Sequence, residues 1–442
     1  MKNFVTINTK IKSFKSSIVV PGDKSISIRF VLLASQAIGK SNGYNLLESE
    51  DVVNSIKAMK ALGVKIVKKK NVYEIYGVGL NGFDFKNNLI INAGNSGTLS
   101  RILPGQLAKT NKTIKIIGDK SLSKRDFSRI IKPLQLFGIN LKSKNNNLPI
   151  IIKGSKFLRP ISYFEKKGSA QVKSSCLFAA LNTPGVTTVK SVPSRNHTEL
   201  MLKNCLKLPI TSKRVGKFDI TKIQGGNQFH HFNYNVPGDI SSAAFFIALT
   251  ILSTNSYLII KNVNINKSRT GIIEILKRMN AKITIKNKRF YHGEENADMI
   301  IKSSPNLRSI NCPRNLNTKT IDEFLIIFLI CARSKGVSKF VGLEELRHKE
   351  SDRLNVGSNF LKMIGINVKE TFNSLKIFGN PNLRLKGNYI VKNFKKDHRV
   401  FMMSCIAALT LGGNFKIKDK NSINSSFPNF ITILRNLGAE VK

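Results

Sequence analysis

The chain has 442 residues, 41% hydrophobic and 22% charged, with 72 Lys and Arg against 26 Asp and Glu for a formal net charge of +46. This length suggests two or three domains with sizeable cores, and the composition excludes a disordered chain. The longest near-uniform apolar run, residues 324–332, is less than half of the ~20 residues that cross a bilayer, and the basic start MKNFVTINTKIKSFKSS lacks the apolar stretch of a secretory signal.

In chain order, the turn Pro21-Gly22-Asp23 leads into a helix starting near Lys24, and a second helix ends in the alternating strand of residues 62–67. The pair recurs with a helix from about Ser96 and a helix-to-strand junction at 137–142. It recurs again from Ser169, where the matching junction near Cys205 is degenerate. Pro237-Gly238-Asp239 repeats the opening tripeptide 216 residues later. Helices follow from Ser241, Asp322 and Asp397, with junctions at 279–285, 364–370 and 437–442. Glycine, or Asn280 in one copy, suits the left-handed turn that ends each junction helix. Six units in two halves of three are therefore expected. One lobe should cover 24–237 and the other 1–20 plus 241–442, with crossovers near 21–23 and 237–240. The Ser- or Asp-led helices are apolar on most faces and should be buried.

Five cysteines, Cys176, Cys205, Cys312, Cys331 and Cys405, are widely spaced and include no Cys-x-x-Cys pair. Neither a disulfide framework nor a cysteine zinc site is expected, and a reducing cytoplasm fits. Lysines are spread through the chain, singly or in runs such as Lys68, Lys69 and Lys70, and Trp is absent. Without a basic stripe interleaved with aromatics, the charge reads as compositional drift rather than a nucleic-acid surface. A positive field would still help to capture small polyanions.

Function is expected where the buried helices begin, because a helix N-terminus presents unpaired N–H groups and a partial positive charge to anions. If these helices run parallel, their starts converge on one face of each half, and two such faces across a hinge would form a cleft for phosphates and carboxylates. Cations gather at the same places. Lys24, Ser25 and Arg29 offer a point charge, a hydroxyl and a planar fork. Asn95-Ser96-Gly97-Thr98 allows close backbone approach to an oxyanion, although it lacks the Gly-Lys-Ser/Thr of a P-loop. Lys120, Lys124, Arg125 and Arg195 follow, and the second half adds Asp322, a run from Glu344 to Arg353, and Asp397-His398-Arg399. Each motif alone also has a plain structural reading: Asp322 and Asp397 as helix caps, and the run ending at Arg353 as a solvated face.

Taken together, PGDKSIS, SLSKR, SAQVKS, NHTE, PGDISSAA, EELRHKESDR, DHR and SFPNF resemble, in order and spacing, the 5-enolpyruvylshikimate-3-phosphate synthase family over essentially the whole chain. The resemblance implies an α/β fold of two similar domains, each three βαβαββ repeats with buried helices, the inside-out barrel of enolpyruvyl transferases. It implies transfer of the enolpyruvyl group of phosphoenolpyruvate to the 5-hydroxyl of shikimate 3-phosphate in the shikimate pathway, with release of phosphate through a tetrahedral intermediate. It also implies no cofactor, no metal, no nucleic-acid or membrane partner, and a cytoplasmic monomer. By motif, Lys24, Ser25, Arg29, Ser169, Ala170, Gln171, Arg195, Asp322 and Lys349 correspond to shikimate 3-phosphate ligands. Lys24, Gly97, Arg125, Gln171, Arg353 and Arg399 correspond to phosphoenolpyruvate ligands, and Asp322, Glu350 and Lys24 to the catalytic groups.

That chemistry suits the residue types. Two substrates bring two phosphates and two carboxylates, which cations must neutralise. Asp322 is expected to take the hydroxyl proton, and Glu350 with Lys24 to act at the methylene carbon and departing phosphate. A carboxylate among cations is a weak acid donor, so Glu350 needs compensating desolvation for that role. The chain departs from the family pattern at Ile28, where His is common, at Asn196 for Asp, at Leu325 for Pro, and at Ser425, where some members carry a phosphoenolpyruvate-binding Lys. Gly97 is expected to leave room for glyphosate, and Ile102, often Pro in sensitive enzymes, bears on the starting sensitivity. The sister transferase acting on UDP-N-acetylglucosamine is the alternative enzyme, but the neighbourhood of Lys124 and Arg125 lacks the cysteine that such enzymes usually carry.

Overall fold

The computed structural model describes residues 3–442, so the first two residues of the expected segment 1–20 lie outside the described residues. The chain divides into two compact units. The first is Gly22–Val236 with Phe290–Glu294; the second holds the N-terminal segment up to Pro21, Pro237–Arg289 and Glu295–Lys442. Each encloses its own apolar core.

Three four-stranded sheets belong to the first unit, and all three share one pairing pattern. Tyr234–Asn235 runs parallel to Ile38–Tyr44, which pairs antiparallel with Val72–Val78 and that with Lys65–Lys69. Leu89–Asn92, Thr113–Ile117, Ile150–Lys153 and Asn140–Ser143 repeat the order, as do Ser162–Glu165, Gly185–Ser191, Phe218–Gly225 and Ile210–Val215. In the second unit Lys15–Val19 runs parallel to Tyr257–Asn264, which pairs antiparallel with residues 296–302. Gly336–Val341 pairs with Ser374–Gly379, and Leu385–Val391 with Gly412–Lys418, whose other neighbour is Phe4–Ile7. Thr6 and Lys442 exchange backbone hydrogen bonds of 2.7 and 3.0 Å, which ties the two ends of the chain together.

Beneath the sheets lie the Ser- and Asp-led helices: Lys24–Gln36, Gly97–Gln106, Ala170–Leu181, Ile240–Leu252, Phe324–Ala332 and His398–Leu411. Every residue of the last three is buried, as expected of helices apolar on all faces. The capping chemistry sets where most of them start. Side chains of Asp23, Ser96, Ser169, Asp239 and Asp397 each accept a hydrogen bond from a backbone N–H in the first turn, at 2.8–3.3 Å. Gly105 lets two of these helices touch, since a β-carbon there would lie 2.1 Å from the Ser175 carbonyl oxygen. At the helix-to-strand junctions Gly63, Gly138, Asn280, Gly365 and Gly438 all have φ between 67° and 97°. In the degenerate copy Lys207 takes the left-handed conformation instead, at φ 53°.

Candidate functional site

The helix starts place the predicted residues in two sets, one in each unit. In the first unit, Lys24 opens its helix and pairs with Asp51 at 2.8 Å. Asp51 lies in the first turn of helix Glu50–Ala61, and sequence reasoning missed it because an acidic first turn already satisfies a helix dipole. Arg29, one turn further along, is 3% exposed and donates to Thr198 Oγ1 at 2.8 Å, Ser174 Oγ at 2.9 Å and the Ser25 carbonyl at 3.0 Å. It thus braces three segments from inside the unit. Ser25 itself is half-buried.

Ser169 caps its helix through Val172 N–H and donates its own N–H to Glu165 Oε2 at 2.9 Å. Ala170 is the first residue of that helix. Gln171, next along, donates to Thr98 Oγ1 at 3.2 Å and accepts from Arg101 Nη1 at 3.3 Å. Arg101, which follows the 95–98 turn in the sequence, also donates to the Gly97 carbonyl and lies over the Phe127 ring. Arg125 donates to Asn95 Oδ1 at 2.9 Å, while Asn95 is held by Asp119 at 2.6 Å. Gly97 sits directly beneath this pair: a β-carbon there would lie 2.8 Å from Arg101 Nη1 and 3.0 Å from Arg125 Nη1. Gly97, Arg125 and Gln171 are therefore brought together, with Arg101 as the link. Arg195 lies half-buried in the turn before helix His197–Leu200.

In the second unit, five predicted residues converge on one another. Asp322 lies 3.3 Å from Arg353, 3.8 Å from Lys349 and 3.9 Å from Arg399. Arg353, 2% exposed, also binds Glu350 at 2.5 Å and Asp397 at 2.9 Å. Asp397 also caps its helix through Arg399 N–H and accepts from Ser351 Oγ at 2.9 Å. Burial opposes the Arg353 charge, but Asp397, Glu350 and Asp322 outweigh it and hold its pKa above the ordinary arginine value. Burial likewise raises the Asp397 pKa, and Arg353 more than reverses this, so its carboxyl titrates below the usual range. Three cations, Lys349, Arg353 and Arg399, thus meet three carboxylates, Asp322, Glu350 and Asp397. Ser425 contacts His398 Nδ1 at 3.2 Å.

Thiol chemistry is disfavoured. Burial pushes Cys176, Cys205 and Cys331 up to about 12 and Cys312 to about 11, and raises Cys405 as well. Among the described residues no group of three or more His, Cys, Asp or Glu side chains is placed to hold a metal ion. No described helix is long and apolar enough to cross a membrane.

Residues 8–434 match the EPSP synthase (3-phosphoshikimate 1-carboxyvinyltransferase) family. A 3-phosphoshikimate 1-carboxyvinyltransferase of Vesicomyosocius okutanii is 38% identical over 435 residues, covering 97% of each chain. A solved EPSP synthase from Acinetobacter baumannii superposes with a TM-score of 0.86 at 34% identity, covering 99% of each chain. The enolpyruvyl transferase NikO from Streptomyces tendae shares the fold, with a TM-score of 0.78 at 14% identity over 99% of this chain and 98% of its own.

The Asp397–Arg353 pair makes a stability prediction. Asp397 titrates lower in the folded protein than its unfolded value of about 3.9. Its stabilisation is therefore complete above about pH 4 and is lost as pH falls through the folded pKa. Asp397→Asn should lose about 3 kcal/mol in urea unfolding at pH 6, and the gap from wild type should narrow as the pH drops below about 4.

Proposed function

The chain belongs to the EPSP synthase family, and from that premise we propose how its residues share the reaction. The protein transfers the enolpyruvyl group of phosphoenolpyruvate to shikimate 3-phosphate in the shikimate pathway. The observation that carries the assignment of roles is the meeting of Asp322 with Lys349, Arg353 and Arg399.

In the proposed reaction the 5-hydroxyl oxygen of shikimate 3-phosphate bonds to C2 of phosphoenolpyruvate. Asp322 accepts the hydroxyl proton, and the methylene carbon receives a proton from Glu350. The C2–phosphate bond of the tetrahedral adduct then breaks, the new methyl group returns a proton, and phosphate leaves beside Lys24. Shikimate 3-phosphate draws on Lys24, Ser25, Arg29, Ser169, Ala170, Gln171, Arg195, Asp322 and Lys349. Phosphoenolpyruvate draws on Lys24, Gly97, Arg125, Gln171, Arg353 and Arg399.

The internal ion pairs give these assignments a physical logic. Phosphoenolpyruvate competes with Glu350 for the Arg353 guanidinium, and with Asp51 for Lys24. A carboxylate released from its cation takes up a proton more readily, which supplies the proton that the methylene carbon receives. Cations fixed before the substrate arrives need little reorganisation as charge develops. Arg29 acts from behind, holding Ser25, Ser174 and Thr198 in place as well as favouring the substrate's negative charge. The shared order of parallel and antiparallel pairs in the first unit's sheets supports three βαβαββ repeats there, and we extend the same repeat to the second unit. The five free cysteines support a reducing cytoplasm, where we place the protein as a monomer.

Phosphate release assayed with phosphoenolpyruvate and shikimate 3-phosphate should show turnover, and none when UDP-N-acetylglucosamine replaces the latter. Asp322→Asn should cut kcat about 10²- to 10⁴-fold; a wild-type rate in that variant would exclude Asp322 as the base. Glyphosate gives a separate test, because a methyl group at Gly97 must push aside Arg101 and Arg125. Gly97→Ala should raise the inhibitory glyphosate concentration at least ~10-fold, equivalent to about 1.4 kcal/mol, and equal inhibition of both forms would contradict the placement.

A further inference from the structure

Asp322 is followed by a second carboxylate that the proposed reaction does not use. Glu323 is 1% exposed, and its Oε1 accepts a hydrogen bond from Ser241 Oγ. The same hydroxyl oxygen accepts from Arg269 Nη2 at 2.8 Å, and that nitrogen also donates to Asp239 Oδ1 at 3.1 Å. Arg269, Ser241 and Asp239 are all buried. Asp239 completes the ring by accepting from Ser241 N–H at 2.8 Å. Arg269 is presented by a tight turn in which Asn266 Oδ1 accepts from both the Ser268 N–H and hydroxyl, at 2.8 and 2.7 Å.

A second contact grips the same short segment from its other end. A β-carbon at Gly271 would lie 2.0 Å from Thr320 Oγ1, so the start of helix Gly271–Arg278 packs directly on the residue two before Asp322. The Glu323 N–H donates to the Thr320 carbonyl at 2.9 Å. Asp322 therefore sits between two anchored residues, with its own carboxylate toward Arg353, Lys349 and Arg399.

A solvent-exposed pair would contribute little, but burying two carboxylates and a guanidinium is worthwhile only if each finds its partners. Such a network has few alternative arrangements, which suits it to fixing a backbone rather than adding stability. We infer that Glu323, Ser241 and Arg269 are positioning residues for the reaction, holding the backbone at Asp322 so that its carboxylate meets the substrate hydroxyl. The inference rests on the reading of Asp322 as the base. The network is assigned no substrate contact of its own, so its effect passes through Asp322. A displacement of the order of 1 Å at a reacting group can cost about 10²-fold in rate.

The test is steady-state kinetics across pH for Glu323→Gln and Ser241→Ala, beside Asp322→Asn and the conservative Ser241→Thr. Glu323→Gln and Ser241→Ala should lower kcat about 10- to 100-fold, while KM for phosphoenolpyruvate, which Asp322 is not assigned to bind, stays within about twofold. The acid limb of the kcat profile should move with them, and Ser241→Thr, which keeps the hydroxyl, should recover most of the rate. Adding Glu323→Gln to Asp322→Asn should cause no further loss. Full kcat in the folded single variants, or losses that multiply in the double variant, would overturn the inference. Should Glu323→Gln fail to fold, the comparison of Ser241→Ala with Ser241→Thr decides it. A wild-type rate in Asp322→Asn removes the base assignment and this inference together, whereas a slow Asp322→Asn beside a fast Glu323→Gln removes only the inference.

Discussion

Arg353 lies almost wholly out of water, and what makes that tolerable is its enclosure by Asp397, Glu350 and Asp322. An isolated guanidinium in such a place would be expelled, and so would an isolated Asp397, which is fully buried as well. Each therefore requires the other. The pairing ties the start of helix Arg353–Met363 to the start of helix His398–Leu411, and through Asp322 to the start of Phe324–Ala332. Three helix entries are locked by one side chain. The same lock brings Lys349 and Arg399 within 4 Å of Asp322, which is the arrangement the proposed reaction draws on.

The first unit holds some of its cations through neutral acceptors as well. Arg29 donates to a carbonyl and two hydroxyls, and Arg125 to the amide oxygen of Asn95. A neutral acceptor orients a cation without cancelling its charge. Lys24 is paired with Asp51, a partner that an arriving phosphate would displace in the proposed reaction. A net charge of +46 adds a background field that favours anionic substrates, while the local geometry decides where they stop.

What could be read from the sequence was local in kind. Helix starts followed from Ser96, Ser169 and Asp397, because a cap depends on residues two or three positions away; Asp23 and Asp239 cap just ahead of the starts expected at Lys24 and Ser241, and the helix expected from Asp322 begins at Phe324. The left-handed junction turns followed from Gly63, Gly138, Asn280, Gly365 and Gly438 for the same reason, and Lys207 was hidden because a lysine gives no sign that it will adopt positive φ. Motif resemblance placed Asp322, Lys349, Glu350, Arg353 and Arg399 as one group of residues. It did not reveal that Asp397 would be more than a cap, since its bond to Arg353 spans 44 residues. Asp51 escaped because it looked like ordinary helix chemistry, and the partners of Arg101 and Asn95 because they lie far away in sequence. Nor could sequence say that Arg29 faces inward, because the direction of an arginine is set by tertiary packing.

The account turns on the idea that substrate anions replace internal carboxylates on cations already in place, releasing Glu350 to carry a proton. The most direct measurement is calorimetric titration of phosphoenolpyruvate into the protein saturated with an unreactive 5-deoxy analogue of shikimate 3-phosphate, repeated in buffers of different ionisation enthalpy at neutral pH. Protons taken up on binding then appear as a buffer-dependent heat. The wild-type protein should take up on the order of one proton per site, and Glu350→Gln should lose that uptake while still binding. Binding with no proton uptake, or with uptake unchanged in Glu350→Gln, would contradict the account.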